Sequence, residues 1–287
     1  MTDFDQAIHP PITQQRVVAL LADNHPRRIC FRTTHAHEPK RSQPPYAGTL
    51  NVPFCETIGR IFESDLGLRL FLNPNRPGYW RSIRTEEEYA RIETWVKQQG
   101  TRVFLRDCLD LSLALGINLQ EGPDGQPAGH TPLGALEATA KAGPDKEAIG
   151  QLQEAFIATI RALPGYREAR LIAAVPPRPG KAHDLPSLLA GRIAAALGIE
   201  DLTLRFRFAA PKGTVKAARL EEKWAAWEQS GLGFDPPLSD RPAVILIDDK
   251  YQSGISIQFV ASVLRAAGAG EIYGLCAVKT WRDTDNA

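Results

Sequence analysis

The sequence predicts a two-part α/β protein whose C-terminal part is built on a parallel sheet with helices on both faces. Two short apolar runs, residues 171–175 and 243–247, lack alternation and are too short for helices, which is typical of parallel strands buried on both faces. A segment with helical periodicity follows each run. Strands that alternate with helices favour a parallel sheet with any ligand site at the carboxyl ends of its strands.

Composition sets broad limits on the protein class. The chain has 287 residues, 43% apolar and 23% charged, which suits one large globular domain or two modest ones. Its 34 basic and 33 acidic residues leave a net charge of +1, so no global field attracts nucleic acid or a membrane. No apolar run approaches the roughly 18 residues of a membrane span, and the N-terminus lacks a signal core. We therefore expect a cytoplasmic protein with no membrane partner.

The cysteines argue against a zinc ribbon and against a disulfide framework. The four are far apart and form no C-x-x-C pair, so the expected role of each is a small buried hydrophobe. His35 and His37 form an H-x-H pair near Cys30 that could bind a metal ion, although strand alternation or a loop explains the pair equally well.

The N-terminal part is expected to be a separate α/β module of unknown role, residues 1–127. A short helix is predicted over Gln14–Ala22, and another begins at Thr85, where Thr85 and Glu88 form a capping box, and ends before Gly100. Residues 102–106 look like a strand, and residues 109–115 like an apolar helix or a second strand.

A proline- and glycine-rich stretch, residues 122–132, is the best linker candidate and places a domain boundary after residue 127. In the second domain, residues 128–287, an amphipathic helix is predicted from the apolar stripe Ile149, Leu152, Phe156 and Ile160. Residues 202–208 alternate apolar and polar side chains, which predicts a half-buried strand.

The run at 243–247 delivers Asp248 and Asp249 onto a Ser/Gly loop that a helix follows. Loop amides and a helix N-terminus favour an anion, whereas aspartates favour hydroxyls or a metal ion, and a sugar phosphate satisfies both. We expect the phosphate to lie over residues 251–254, where Gly254 lets the backbone approach closely. Ser253 or Ser256 can cap the helix or donate to the phosphate. The alternative is a buried strand with solvated aspartates before a capped helix.

The segment DDKYQSGIS, residues 248–256, resembles the signature loop of the type I phosphoribosyltransferases, which bind phosphoribosyl pyrophosphate (PRPP). Residues 170–197 resemble the first strand, pyrophosphate loop and following helix of the ComF-like, late-competence branch of that superfamily. Roughly the last 150 residues are covered. The resemblance implies transfer of a phosphoribosyl group to an amine or nucleobase nitrogen, with release of pyrophosphate and with Mg²⁺ as cofactor.

The resemblance also implies residue roles. Asp248 and Asp249 would hold the ribose hydroxyls, and Mg²⁺ would be reached through the substrate and these two acids. Arg178 and Lys181 would bind pyrophosphate, and Lys212 would reach it from the position of the family's mobile hood. The substrate-binding loop would consist of Lys250, Tyr251, Gln252, Ser253, Gly254, Ile255 and Ser256. A solvated helix over residues 215–229, with its tryptophans packed inside, is the competing account of the hood.

Two departures from the family pattern bear on activity. Purine-salvage members carry a further acid where this chain has Gln252, so an ordinary purine enzyme is disfavoured and no general base is identified. Lys250 stands where the family prefers an aliphatic residue, and it either points to solvent or adds a cation near the site.

Prolines in the loop after residue 175 remove amide donors, so side chains must bind more of the pyrophosphate.

The alternative function is a non-catalytic protein that senses PRPP or a nucleoside monophosphate, or an accessory protein in DNA uptake or processing. Fold alone does not decide between an enzyme and a sensor. Direct nucleic-acid binding has weaker support from one basic cluster, which is more often a solvated face. That cluster is Arg27, Arg28, Arg32, Lys40 and Arg41. A homo-oligomer is compatible with either function.

Overall fold

A computed structural model describes residues 9–33, 37–177, 180, 183–210 and 219–282. Arg178, Lys181 and Lys212, three of the predicted substrate-binding residues, lie outside the described residues. His35 of the predicted H-x-H pair also lies outside them. The roles of these four side chains therefore stay predictions.

The described chain alternates helices and strands from its N-terminal to its C-terminal part. Its helices are α1 (Gln14–Ala22), α2 (Ile58–Leu66), α3 (Glu86–Gln98), α4 (Pro132–Ala142), α5 (Lys146–Ala162), α6 (Leu185–Leu197), α7 (Leu220–Gln229) and α8 (Ile255–Ala266). Its strands are β1 (Arg28–Ile29), β2 (Lys40–Arg41), β3 (Gly48–Val52), β4 (Phe71–Leu72), β5 (Tyr79–Ile83), β6 (Val103–Leu105), β7 (Leu111–Ile117), β8 (Leu119–Glu121), β9 (Pro127–His130), β10 (Leu171–Ala174), β11 (Glu200–Asp201), β12 (Phe206–Arg207), β13 (Gly233–Phe234), β14 (Val244–Tyr251) and β15 (Ile272–Lys279).

The chain divides into two compact units that do not follow the predicted boundary after residue 127. The first unit consists of Met1–Asp23 and Asp107–Ala287, and the second of Asn24–Arg106. The reason is that β7, which the prediction assigned to the N-terminal module, pairs with β15 along most of its length. The predicted linker at 122–132 is instead the hairpin of β8 and β9, which leads into the first turn of α4.

The first unit contains a parallel sheet in the order β7-β15-β14-β10-β11. All four strand pairings in this part of the sheet are parallel. The central residues Ile245, Leu246 and Ile247 of β14 are fully buried, as expected for a strand covered on both faces. The predicted α/β fold with a parallel sheet is therefore confirmed.

Two neighbouring strands of this sheet send the chain in opposite directions. From β10 the chain passes through α6 to β11 on one side, and from β14 it passes through α8 to β15 on the other. Helices α4, α5 and α6 pack as one group and α1, α7 and α8 as another. The order of the strands therefore reverses between β10 and β14. Ligands of open α/β sheets bind in the crevice at such a switch point, outside the carboxyl ends of the strands.

Strand β14 is longer than the apolar run predicts and includes both acids of the predicted loop. Its pairing with β15 continues past Ile247 through Asp248 opposite Cys276 and Tyr251 opposite Lys279. Both aspartates therefore lie within the strand, where pairing with β15 on either side of Asp249 holds the backbone extended. The turn itself is reduced to residues 252–254.

Other predictions have mixed outcomes. Helix α1 has the predicted bounds, and the apolar stripe of α5 is buried as predicted. For residues 109–115 the sequence left a helix or a strand open, and the structure has a strand there, β7. The predicted strand at 202–208 is confirmed only over Phe206–Arg207, which form β12, and is wrong before it, because residues Thr203–Arg205 form a 3-10 turn and Leu204 is 84% exposed. Asp201 explains this turn, since its carboxylate accepts hydrogen bonds from both the amide and the hydroxyl of Thr203.

The second unit combines antiparallel strands with helices, as the prediction of an α/β N-terminal module requires. Its four-stranded sheet has the order β2-β3-β5-β4, and β1 pairs with β6. Thr85 caps α3 by accepting from the amide of Glu88, but the Glu88 carboxylate accepts from the amide of Arg84 rather than closing the predicted capping box. No helix in the described part of the chain is long and apolar enough to cross a membrane.

Candidate functional site

The turn between β14 and α8 is supported from beneath by a buried tyrosine. Tyr251 is 5% exposed, and its hydroxyl donates a hydrogen bond to Oδ2 of Asp107 over 3.0 Å. The amide of Leu109 donates to the other oxygen of Asp107 over 3.0 Å. Burial raises the pKa of Asp107, although the bonds from Ser112, Leu109 and Tyr251 oppose that effect. The end of β14 is therefore anchored to the segment that precedes β7.

Gly254 is required where the chain turns into α8. Its φ of 78° lies in the left-handed region, and a Cβ atom there would lie 2.3 Å from the hydroxyl oxygen of Tyr251. Any other residue would strain the backbone and displace the tyrosine ring. The first amide of α8 that bonds back to a backbone carbonyl in the helix is that of Gln258, whose acceptor is Gly254. The preceding amides are those that a helix N-terminus offers to an anion.

The two loop serines have different partners. The hydroxyl of Ser253 accepts a long hydrogen bond, 3.5 Å, from the amide of Ile255 and therefore lies at the start of α8, where the N-cap is Gly254 rather than a serine. Ser256 accepts from the indole nitrogen of Trp227 over 3.3 Å, so its side chain faces α7. Gln252 is exposed at the tip of the turn, whereas Ser253, Gly254 and Ile255 are buried.

Asp248 and Asp249 share one electrostatic environment. The amide of Asp249 donates to Oδ1 of Asp248 over 2.9 Å, and Asp249 itself is 7% exposed. Nζ of Lys141 in α4 lies 2.6 Å from Oδ2 of Asp249. Burial and the charge of Asp249 raise the pKa of Asp248 well above its ordinary value, and Lys141 opposes this rise. Both carboxylates therefore interact with each other and with one ammonium group.

The sequence left open whether Lys250 points to solvent or adds a cation near the site. In the structure its ammonium group pairs with a buried acid of α4. Its Nζ lies 3.0 Å from Oε2 of Glu137, a fully buried residue of α4. Nζ of Lys141 lies 3.5 Å from the other oxygen of Glu137. Burial lowers the pKa of Lys141, but the charges of Asp249, Glu137 and Asp248 outweigh it and leave that pKa raised. Two acids and two lysines thus connect α4 to the end of β14.

The start of α6 lies within electrostatic range of the acid pair. Asp184 caps α6 by accepting from the amide of Ser187 over 3.1 Å, and its charge contributes to the raised pKa of Asp248. His183 contacts the carbonyl oxygen of Ala140 in α4 through Nε2 over 2.8 Å. The start of α6, the end of β14 and the end of α4 therefore lie close together at the switch point.

The tryptophans of the predicted hood pack inside the protein. Trp224 and Trp227 of α7 are 3% and 1% exposed, and both contact Phe259 of α8, with ring centroids 5.0 and 5.5 Å apart. Both tryptophans therefore pack inside the protein, as the competing account of the hood expects. Their contacts hold α8 in place behind the turn.

The oxygen atoms of Asp248 and Asp249 are the donors at this site that could contribute to a bound magnesium ion. Carboxylate oxygens suit Mg²⁺, which keeps most of its ligands as waters or phosphate oxygens. No group of three or more His, Cys, Asp and Glu in the described part of the chain could hold a metal ion. Asp249 already has an ammonium neighbour.

Sequence reasoning missed three residues of the site: Asp107, Glu137 and Lys141. Glu137 and Lys141 stand four residues apart in α4, and this spacing is typical of an ordinary salt bridge on a helix surface. Nothing in the sequence shows that this face of α4 points at β14. Asp107 follows a short strand and carries no motif.

The fold and the site define a class: an α/β protein whose parallel sheet carries an acid pair and a glycine turn before a helix N-terminus at its switch point. No family model matches the chain, and no curated protein does. Among solved structures, two similar ones are adenine phosphoribosyltransferases. That of Leishmania tarentolae is 14% identical with a TM-score of 0.33, covering 56% of this chain and 80% of its own.

The second, from Trypanosoma brucei, was solved in complex with AMP, pyrophosphate and ribose-5-phosphate; it is 12% identical with a TM-score of 0.33, covering 60% of this chain and 77% of its own. A third is described as the allosteric regulatory enzyme of purine biosynthesis, with 16% identity, a TM-score of 0.29 and coverage of 70% of this chain and 37% of its own. Likeness this distant says nothing of activity.

Proposed function

We propose that this chain binds PRPP with Mg²⁺ at the carboxyl ends of β10 and β14 and transfers the phosphoribosyl group to an amine or nucleobase nitrogen, releasing pyrophosphate. The observation that supports this most is the adjacency of the acid pair and the Gly254 turn at the point where the strand order reverses. A sugar phosphate is the ligand class that needs hydroxyl acceptors and amide donors side by side.

The proposed roles follow the geometry of the turn. Asp248 and Asp249 accept hydrogen bonds from the ribose hydroxyls, and their negative charge favours the positive charge that develops on the sugar ring. The amides of residues 252–256 and the hydroxyl of Ser253 donate to the 5′-phosphate. Lys250 holds the end of β14 against Glu137, and Ile255 packs the start of α8 into the core.

In the reaction, the nucleophilic nitrogen forms a bond to the anomeric carbon as the bond from that carbon to pyrophosphate oxygen breaks. Pyrophosphate leaves with the electron pair, and the surplus proton on nitrogen passes to water. When bound, Mg²⁺ would neutralise charge on the leaving group and orient it. Arg178 and Lys181 are the cations proposed to hold the pyrophosphate from the loop after β10, with Lys212 approaching from the segment before α7. An unprotonated amine needs no general base, which suits the glutamine at position 252.

A second candidate function is a non-catalytic sensor of PRPP or a nucleoside monophosphate. The exposed amide side chain of Gln252, at the position where purine-salvage relatives carry an acid, favours it. The same ligand geometry serves both functions, so binding alone does not separate them.

Calorimetry with PRPP and Mg²⁺, followed by a pyrophosphate-release screen over amines and nucleobases, tests the proposal. Binding with release for one acceptor class supports the transferase, and binding without release for any acceptor supports the sensor. Failure of the wild-type chain to bind either PRPP or ribose 5-phosphate would overturn both.

A further inference from the structure

Glu137 is a buried carboxylate with an unusual set of neighbours. Its side chain is 0% exposed, and neither of its oxygens receives a well-oriented hydrogen bond among the described residues. A buried charge without hydrogen bonds is costly unless opposite charges surround it. Its charged neighbours here are the ammonium groups of Lys250, at 3.0 Å, and Lys141, at 3.5 Å.

Lys141 stands between two carboxylates. Its Nζ lies 2.6 Å from Asp249 and 3.5 Å from Glu137, so it is closer to the acid of the proposed ligand site than to the buried acid of its own helix. The side chain is 42% exposed, which leaves it room to change rotamer. Asp249, in contrast, is held in a strand and Glu137 in a helix interior.

We infer that Lys141 is a positioning residue of the sugar-phosphate site: its ammonium neutralises Asp249 in the free protein and withdraws to Glu137 when ligand hydroxyls reach Asp249. This inference rests on the proposed function. It explains why a carboxylate is buried at Glu137, because the withdrawing ammonium needs a fixed acceptor. Lys250 keeps that acceptor in place from the neighbouring strand.

The charges of this cluster explain why such a lysine is needed. The acids are Asp248, Asp249 and Glu137, and the cations are Lys141 and Lys250, so the cluster carries a formal charge of −1 when every member is ionised. Without Lys141 the charge would be −2 beside a ligand that is itself an anion. Like charges within a few ångströms oppose binding unless a cation intervenes. A substrate-borne Mg²⁺ is the other available cation.

Titration of ribose 5-phosphate into four proteins, each in EDTA and in excess Mg²⁺, tests this. They are the wild type, Lys141→Met, Lys141→Arg and Lys146→Met, the last a control on an exposed lysine at the start of α5. In EDTA, Lys141→Met should bind about tenfold more weakly than the wild type, because the cluster then carries one more uncompensated negative charge beside an anionic ligand. Mg²⁺ should restore part of the affinity, and Lys141→Arg should retain most of it.

Lysine ammonium resonances supply a readout that a purely structural lysine would not move. The ¹⁵Nζ signal absent from Lys141→Arg identifies Lys141 in the wild type. Ligand should shift that signal without broadening it away in the wild type, because Glu137 then holds the ammonium. In Glu137→Gln the signal should be lost on ligand addition, because exchange with water is no longer slowed.

The outcomes separate the two proposals. Wild-type binding with unchanged affinity in Lys141→Met, or a Lys141 resonance that ligand does not move, would overturn the lysine's role and leave the proposed function standing. A chain that binds neither ribose 5-phosphate nor PRPP would overturn both.

Discussion

The hydroxyl of Tyr251 lies 3.0 Å from a carboxylate oxygen of Asp107, and both residues are buried beneath the turn that carries Gly254. The ring that this bond fixes occupies the space where a Cβ atom of residue 254 would lie. The shape of the turn therefore depends on an anchor that comes from the segment before β7. Ligand binding and stability should be coupled at this point.

Gly254→Ala should destabilise the protein by about 2 kcal/mol, since a left-handed alanine costs about 1 kcal/mol or more and the tyrosine ring must also move. It should also abolish ribose 5-phosphate binding. Urea unfolding and calorimetry measure the two effects. Gly150→Ala is the matched control, because residue 150 lies inside α5 with open space around it and should gain about 0.5 to 1 kcal/mol. Equal stabilities of the two variants would contradict this account of the turn.

Asp107 should make stability depend on pH. Its pKa is raised in the folded protein, chiefly by burial, so its stabilising contribution is fully present below the ordinary aspartate pKa and is lost as pH rises through the raised value. Asp107→Asn should remove this part of the pH dependence in urea unfolding measured from pH 4 to 8. Asp124→Asn, in the exposed turn of the β8-β9 hairpin, should leave it intact. A wild-type curve parallel to that of Asp107→Asn would disprove the assignment.

Asp248 should make ligand binding depend on pH in the opposite sense. Because its pKa is raised, the Asp248 side chain stays neutral to a higher pH than an ordinary aspartate, and the neutral form accepts hydrogen bonds from ribose hydroxyls less well than the carboxylate. Affinity for ribose should therefore rise as pH increases through that raised pKa. Free ribose, which has no titrating phosphate, isolates the effect, and Asp248→Asn should give a flat profile. A flat profile in the wild type would count against Asp248 as a hydroxyl acceptor.

The proposed pyrophosphate cations should act on one part of the ligand only. Arg178→Gln and Lys181→Gln should each weaken PRPP binding, by about tenfold if the side chain makes one charged hydrogen bond, and leave ribose 5-phosphate affinity unchanged. Calorimetry with the two ligands measures the difference. Equal losses for both ligands would place these side chains elsewhere.

The parallel sheet and its switch point could be anticipated because the strands of that sheet carry short, fully apolar runs. The full length of β14 could not be anticipated, because Asp248 and Lys250 are residue types that are typical of loops. Pairing with Cys276 and Val278 of β15 keeps the backbone extended there. At residues 202–208 the alternation was genuine, but hydrogen bonds from Thr203 to Asp201 favoured a 3-10 turn. Local pattern fails where a side chain offers the backbone another partner.

The turn residues of the candidate site could be predicted from their order along the chain, and the cluster around them could not. Glu137 and Lys141 precede Asp249 by more than a hundred residues, and only the packing of α4 beside the sheet brings the lysine to within 2.6 Å of that acid. A spacing of four residues on a helix indicates a pair but not the direction in which the pair points.

The central claim is that Asp248 and Asp249 bind the hydroxyls of a phosphorylated pentose. Calorimetry of PRPP with Mg²⁺ on the wild type and on the Asp248→Asn, Asp249→Asn double variant tests it most directly. The account predicts saturable binding by the wild type and a loss of about a hundredfold or more in the double variant, from two charged hydrogen-bond acceptors made neutral. Unchanged affinity in a folded double variant would contradict it.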